Sequence, residues 1–284
     1  MKSKTKKIII IAVCIVLAAL IGCVAFLGVK EYRRLVTPVK LIPTIIESTD
    51  SENPLYLIAH RGEHTQCPEN SIPAFKSAIE KGYYAVECDI IRTSDGKWVI
   101  AHDNNLFPHF KASGFIEKKT FDEVRSYKYY LDRNSADYQD EKIPTLEEYL
   151  DLFVGTDVRP QIEIKSNTTE NIADVLNAID ERGLTEQVII ISFFYDSLKE
   201  VKKLNPNIEM WYLTGEMTDE AIANAKELGC PKISVNHSEI SYNDIERAKK
   251  AGLETAIWTV DSPDSVRIFY NLGVNCITSN IICY

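Results

Sequence analysis

Short apolar runs alternate with amphipathic stretches through residues 54–284. The runs at 55–60, 85–90, 161–165, 187–192, 208–213, 232–236, 255–260 and 276–278 are bounded by polar or glycine-containing segments and read as buried strands. Most are followed by a stretch whose apolar positions recur with the helical period. These predict helices over 71–80, 145–153, 171–181, 195–204, 219–228, 242–251 and 263–272. Several end on glycine, at Gly82, Gly183, Gly229, Gly252 and Gly273, the usual stop signal. Eight such strands with intervening helices predict an α/β chain closed into a (β/α)8 TIM barrel rather than an open sheet.

Two stretches break the rhythm. After the second strand comes an insertion over about 91–142, with boundaries good to a few residues. It opens on Thr93-Ser94-Asp95-Gly96, a hairpin turn signal, and continues into a strand-like run over 97–101. At the other end the chain stops at Tyr284, with no room for an eighth helix. Residues 32–46 are therefore expected to cover the groove between the first and last strands.

The N-terminal pattern is different in kind. Lys2, Lys4, Lys6 and Lys7 precede an uncharged run from residue 8 to 29, and Lys30, Arg33 and Arg34 follow it. As a helix this run is roughly 33 Å long, enough to span the hydrocarbon core of a bilayer. Leu20-Ile21-Gly22-Cys23 resembles a lipobox, but the apolar run continues through Val24, Phe26 and Leu27 where a lipoprotein turns polar. The reading is an uncleaved transmembrane helix. The expected organisation is a cytoplasmic tip and anchor over 1–30, a stalk over 31–53 and the barrel over 54–284. Flanking positive charge leans towards a single-pass cell-membrane protein with its barrel on the extracellular side.

Charge changes the picture of partners. The 284-residue chain has a formal net charge of −9. Five of its 32 basic residues lie in residues 1–30, which hold no acid, so the remainder sets 27 bases against 41 acids, a balance of −14. Such a surface repels a polyanion, which excludes nucleic acid as a partner. The five cysteines beyond the apolar run (Cys67, Cys88, Cys230, Cys276 and Cys283) show no CxxC spacing and read as incidental thiols.

Candidate chemistry sits where the strands end, the functional face of a parallel barrel. The first strand ends in His60-Arg61-Gly62, the second carries Glu87-Cys88-Asp89, the hairpin ends in His102-Asp103, and the third strand carries Glu163-Ile164-Lys165. Alternation along a strand puts Glu87 with Asp89 and Glu163 with Lys165 on the inner face, and turns Cys88 and Ile164 outward. Gathered carboxylates need a counter-charge when buried, and an all-oxygen donor set suits a hard divalent cation, Mg2+ or Ca2+. Isolated histidines such as His64, His109 and His237 read as surface or loop residues.

The motifs His60-Arg61-Gly62, Pro68-Glu69-Asn70-Ser71, Glu87-x-Asp89, Thr93-x-Asp95-Gly96, His102-Asp103, Ile143-Pro144-Thr145-Leu146-Glu147-Glu148, Glu163-Ile164-Lys165, Ser192-Phe193, Trp258-Thr259-Val260 and Gly273-Val274-x-x-Ile277-Thr278 occur in this order. Together they resemble the glycerophosphodiester phosphodiesterases over nearly all of residues 55–279. The resemblance implies metal-dependent hydrolysis of a small glycerophosphodiester, or of an envelope polymer, to glycerol 3-phosphate and an alcohol. It implies Glu87, Asp89 and Glu163 as metal ligands and His60 and His102 as the acid–base pair. Arg61 and Lys165 would contact the phosphate, with pairing to one of the carboxylates an equal alternative for Lys165, and Glu69 would support the site. Trp258, near the mouth, is a candidate wall for the alcohol. Two departures stand out: Phe107-Pro108-His109-Phe110 replaces the usual arginine–threonine stretch, and Thr278-Ser279-Asn280 replaces the usual Thr-Asp. Other readings of the pattern are a sphingomyelinase D-like or lysophospholipase D-like lipid phosphodiesterase, and a non-catalytic surface barrel binding glycerol-phosphate groups. The full set of histidines and carboxylates argues against the last.

Overall fold

The computed structural model describes residues 44–46, 54–107, 109–110, 112–129, 138 and 140–284. The apolar run 8–29 and most of the stalk lie outside these residues, and no described helix is long and apolar enough to cross a membrane. In chain order the strands are β1 (Thr44–Ile45), β2 (Tyr56–Ala59), β3 (Ala85–Arg92), β4 (Trp98–Ile100), β5 (Arg159–Ile164), β6 (Ile189–Ser192), β7 (Glu209–Thr214), β8 (Lys232–Asn236), β9 (Glu254–Trp258), β10 (Cys276–Ser279) and β11 (Ile282–Cys283). The helices are α1 (Ile72–Glu80), α2 (Phe121–Ser126), α3 (Leu146–Leu150), α4 (Ile172–Asp180), α5 (Tyr195–Leu204), α6 (Asp219–Leu228), α7 (Tyr242–Lys250) and α8 (Pro263–Asn271).

The main sheet runs β2-β10-β9-β8-β7-β6-β5-β3-β4, and pairing of β2 with β3 closes its eight parallel strands into a ring. Both faces of that ring are covered, which is why the strands carry so much Ile and Val. Ile58, Ala85, Ile189, Ile191, Trp211 and Ala256 fill the interior. Leu57, Val86, Ile190, Ile233 and Ile277 face outward, in one core with Phe75, Val175, Leu198, Ala225 and Val266 of the helices. At the N-terminal end of the barrel Arg159 pairs with Glu209 at 2.7 Å and donates to the Tyr84 hydroxyl at 2.8 Å, and Lys232 pairs with Glu254. These pairs sit at the strand starts, opposite the end where the cavity lies.

The expected insertion is present but begins two residues later than the sequence predicts, because β3 runs on to Arg92. Its extra length is held by β4, antiparallel to it with Ile90 opposite Ile100 and Arg92 opposite Trp98. The insertion builds a small core of its own from Val99, Ala101, Leu106, Phe110, Ile116, Val124, Tyr129 and Ile143. Helix α2 within it, opened by a Thr120–Glu123 capping box, is an element the sequence pattern does not announce. The predicted 145–153 helix is shorter, with α3 tightening into a 3₁₀ turn over Asp151–Phe153.

The seam between first and last barrel strands is closed by the chain itself. Of the segment expected there, residues 44–46 are described: Thr44 and Ile45 pair in parallel with Ile282 and Cys283. Residues 32–43 lie outside the described residues. The Tyr284 hydroxyl donates to the Leu55 carbonyl at 2.6 Å and accepts from the Leu57 N–H at 2.9 Å.

Candidate active site

The loop after β2 is bent hard to serve the mouth of the barrel. Arg61 takes φ 57° and Gly62 φ 80°, and a Cβ on Gly62 would lie 2.7 Å from the Ala74 backbone carbon on α1. Only glycine fits that approach. The bend aims the Arg61 N–H at Glu87 Oε2, 2.8 Å away, and its guanidinium at Glu69 Oε1, also 2.8 Å. Asn70, at φ 52°, closes the loop by donating to the Arg61 carbonyl at 2.9 Å. Its carboxamide donates to Asp89 Oδ2 at 2.9 Å. Ser71 then caps α1. Backbone strain of this kind costs about 1–3 kcal/mol per residue and persists where surrounding contacts enforce it.

Glu87 and Asp89 point inward from β3, and the parallel register sets Asp89 beside Glu163 of β5. One oxygen from each of the three lies within 4.8 Å of the others, and all three residues are buried. Lys165 stands 3.0 Å from Glu163 Oε1 and 3.4 Å from Asp89 Oδ1; Arg61 Nε is 3.6 Å from Asp89 Oδ2. Burial and the neighbouring Asp89 and Glu163 charges drive the Glu87 carboxyl well above its ordinary range. Burial and Asp89 also push Glu163 up to about 7. Burial would raise Asp89 too, but Arg61 and Lys165 outweigh it and hold that carboxyl low. Two oxygens of the cluster, Glu87 Oε1 and Asp89 Oδ1, are buried without a hydrogen-bond partner; Lys165 beside the second is an ion pair only. Orphaned carboxylate oxygens in an all-oxygen set fit a hard divalent cation.

His60 and His102 both line the cavity above this cluster. His60 Nδ1 lies 2.7 Å from Asn280 Oδ1, and burial, with Arg61 nearby, lowers its pKa to about 4. His102 Nδ1 lies 3.0 Å from Asp103 Oδ1. Asp103 also meets His109 Nε2 at 3.0 Å, and hydrogen bonds from both imidazoles hold its carboxyl far below the usual range.

Two of the histidines read as surface or loop residues lie in loops, but not on open surface. His64 is buried, with Nε2 3.2 Å from Asn280 Oδ1, and His109 stands beside the site. His237 packs edge-on against Phe269, and its Nδ1 lies 3.4 Å from the Trp258 carbonyl oxygen. Asn280, Asp103 and Asn70 are further site residues to which the sequence reading assigns no role, although all three stand in stretches it quotes. The signals available were the Thr278-Ser279-Asn280 and His109 departures from the familiar motif.

The cavity has a volume of ≈ 160 Å³. Arg61, Glu87, Glu163 and Lys165 make its charged side, and Ile191, Phe193, Leu213 and Trp258 its apolar side. Phe193 and Trp258 meet edge to face with centroids 5.6 Å apart, and Trp258 Nε1 has no hydrogen-bond partner among the described residues. Glu69 does not line this cavity. It borders a small adjoining recess with His102 and His109, and reaches the site through Arg61.

A closed parallel barrel that gathers carboxylates, cations and imidazoles at the C-terminal ends of its strands defines a (β/α)8-barrel enzyme. The family model described as the glycerophosphoryl diester phosphodiesterase family matches residues 60–282. The chain belongs to that family. A glycerophosphodiester phosphodiesterase of Caldanaerobacter subterraneus subsp. tengcongensis is 31% identical over 227 residues, covering 79% of this chain and 93% of the relative. Among solved structures, a phosphodiesterase of Oleispira antarctica in complex with the product sn-glycerol-3-phosphate aligns with a TM-score of 0.75 at 25% identity, over 80% of this chain and 93% of that one. A glycerophosphodiester phosphodiesterase from Parabacteroides distasonis aligns at 0.68 with 30% identity, over 79% and 92%.

Proposed function

We propose that the protein hydrolyses small glycerophosphodiesters to glycerol 3-phosphate and an alcohol, with Mg2+ or Ca2+ held by Glu87, Asp89 and Glu163. The carrying observation is the buried three-carboxylate cluster with orphaned oxygens, set between two cationic side chains and two imidazoles. A bound cation would supply Lewis acidity at a phosphoryl oxygen. Arg61 and Lys165 attract and orient the anionic diester, and their charge offsets what builds on the phosphoryl group in the transition state. His60 and His102 act as the proton-transfer pair, one accepting from the attacking nucleophile and the other donating to the leaving alkoxide, with one water consumed overall. Glu69 keeps the Arg61 guanidinium in place. Phe193 and Trp258 shape the alcohol side and limit water there.

The cavity is smaller than the roughly 300–1,000 Å³ of pockets for drug-sized ligands, which favours a headgroup-sized substrate over an acylated lipid. A coupled assay for glycerol 3-phosphate, run on several diesters with and without divalent metal, tests the reading. Lysophosphatidylcholine beside glycerophosphocholine separates the lipid alternative. Turnover that survives exhaustive chelation, or wild-type rates in His60→Ala or Glu163→Ala, would overturn it. The run over 8–29 supports a further part of the proposal: a membrane anchor that holds the barrel at the outer surface, where deacylated phospholipids and glycerol-phosphate polymers are within reach.

A further inference from the structure

Asn280 lies one residue beyond β10 and outside every motif that resembles the family. Its carboxamide oxygen is 2.7 Å from His60 Nδ1 and 3.2 Å from His64 Nε2. The other end of the amide donates from Nδ2 to Asp261 Oδ2 at 2.7 Å. Asp261 Oδ1 accepts from the Asn280 backbone N–H at 2.8 Å and from the Ser279 hydroxyl at 2.9 Å. An ionised carboxylate only accepts, so Asp261 takes the NH2 end of the amide and turns its oxygen to the imidazoles. That oxygen in turn only accepts, so each ring nitrogen it meets carries a hydrogen.

We propose that Asn280, locked in orientation by Asp261, is a positioning residue that fixes neutral His60 as its Nδ1–H tautomer. Nε2 is then the basic nitrogen left to the cavity that His60 lines. An unrestrained histidine side chain favours the opposite tautomer, which would put a hydrogen where the lone pair is needed. A neutral amide also orients the ring without adding the negative charge that a carboxylate would place against it. Arg61, Asp89 and His64 act on His60 directly, Asp261 stands behind the amide, and His102, Glu87, Glu163 and Lys165 line the same cavity. The inference rests on the reading of His60 as a proton-transfer residue.

The test uses the full chain labelled with 15N-histidine, whose five histidines make the imidazole spectrum tractable. Long-range 1H–15N correlation reports the tautomer of His60, assigned by comparison with His60→Ala. The wild type is expected to show the Nδ1–H pattern. Asn280→Ala is expected to move His60 towards Nε2–H and to lower kcat on the order of 10- to 100-fold, with KM held within about twofold. The exchanged pair Asn280→Asp with Asp261→Asn keeps an acceptor at Nδ1 and a donor behind it. It should restore the Nδ1–H pattern and most of the rate, while the carboxylate now touching the imidazole shifts the acidic limb of the pH profile to higher pH.

An Nε2–H wild type, or a His60 spectrum unchanged in Asn280→Ala, overturns the proposal. So does an exchanged pair that stays as slow as Asn280→Ala. Should Asn280→Ala fail to fold, the wild-type tautomer and the exchanged pair decide. A wild type that cleaves no diester removes the functional reading instead, and the tautomer spectra still judge whether Asn280 orients the ring.

Discussion

Glu163 shows what single residues contribute here. Burial beside Asp89 raises its pKa from 4.5 to about 7, so the folded metal-free protein prefers it protonated. That preference adds stability below the ordinary value and is lost as pH rises through about 7. A cation at the cluster needs the carboxylates ionised, so protons and metal compete. The expected outcome is a thermal stabilisation by Mg2+ or Ca2+ that grows between pH 6 and pH 8 and disappears in Glu163→Ala. A shift that shrinks over that range would count against the cluster as the binding site.

Gly62 offers a second check. Gly62→Ala forces a Cβ onto the α1 backbone at positive φ, costing about 1–3 kcal/mol and displacing Arg61. Denaturant melts and kcat/KM should fall together. On the far wall, Trp258→Ala should raise KM for diesters with bulky alcohols more than for glycerophosphoglycerol, measured as full kinetic curves. Residue by residue, the acidic cluster was legible because strand parity alone puts Glu87 with Asp89 and Glu163 with Lys165. The meeting of His64 with Asn280 was not, since it joins positions 216 residues apart and the departure at Thr278-Ser279-Asn280 marks the position without naming its partner.

At the scale of elements, the strands were readable because a parallel strand covered on both faces is written as a near-continuous apolar run. The insertion was harder. Its helix α2 spans six residues, too few to establish a period, and the register of β4 on β3 depends on a tertiary core. This module nevertheless delivers His102, Asp103 and His109 to the mouth, and its Tyr129 hydroxyl donates to the Asn70 carbonyl at 3.0 Å. Its junction with the barrel is α3, whose Thr145–Glu148 capping box also receives the fork of Arg125, both bonds at 2.7 Å. Thr145→Ala should cost about 1 kcal/mol in equilibrium unfolding while leaving KM unchanged. A loss of substrate affinity at full stability would show that the cap does more than hold the junction.

For the molecule as a whole, a chain of net charge −9 sets Arg61 and Lys165 beside Glu87 and Glu163 in the lining of the cavity. A chain beginning at residue 31 is expected to leave the membrane fraction while turning over soluble diesters within about twofold of the full chain. Pelleting of that shortened chain with membranes would sink the anchor proposal. His60 and Asn280 follow the first and last barrel strands, 220 residues apart, and meet only when the ring closes. Contacts so distant along a chain form late, after local helices and neighbouring strands. During refolding, helical ellipticity should therefore recover before cleavage does. On the ribosome, a nascent chain short of its last strand would already carry all three clustered carboxylates yet lack Asn280 beside His60, so on the proposed reading turnover is expected only with completed synthesis.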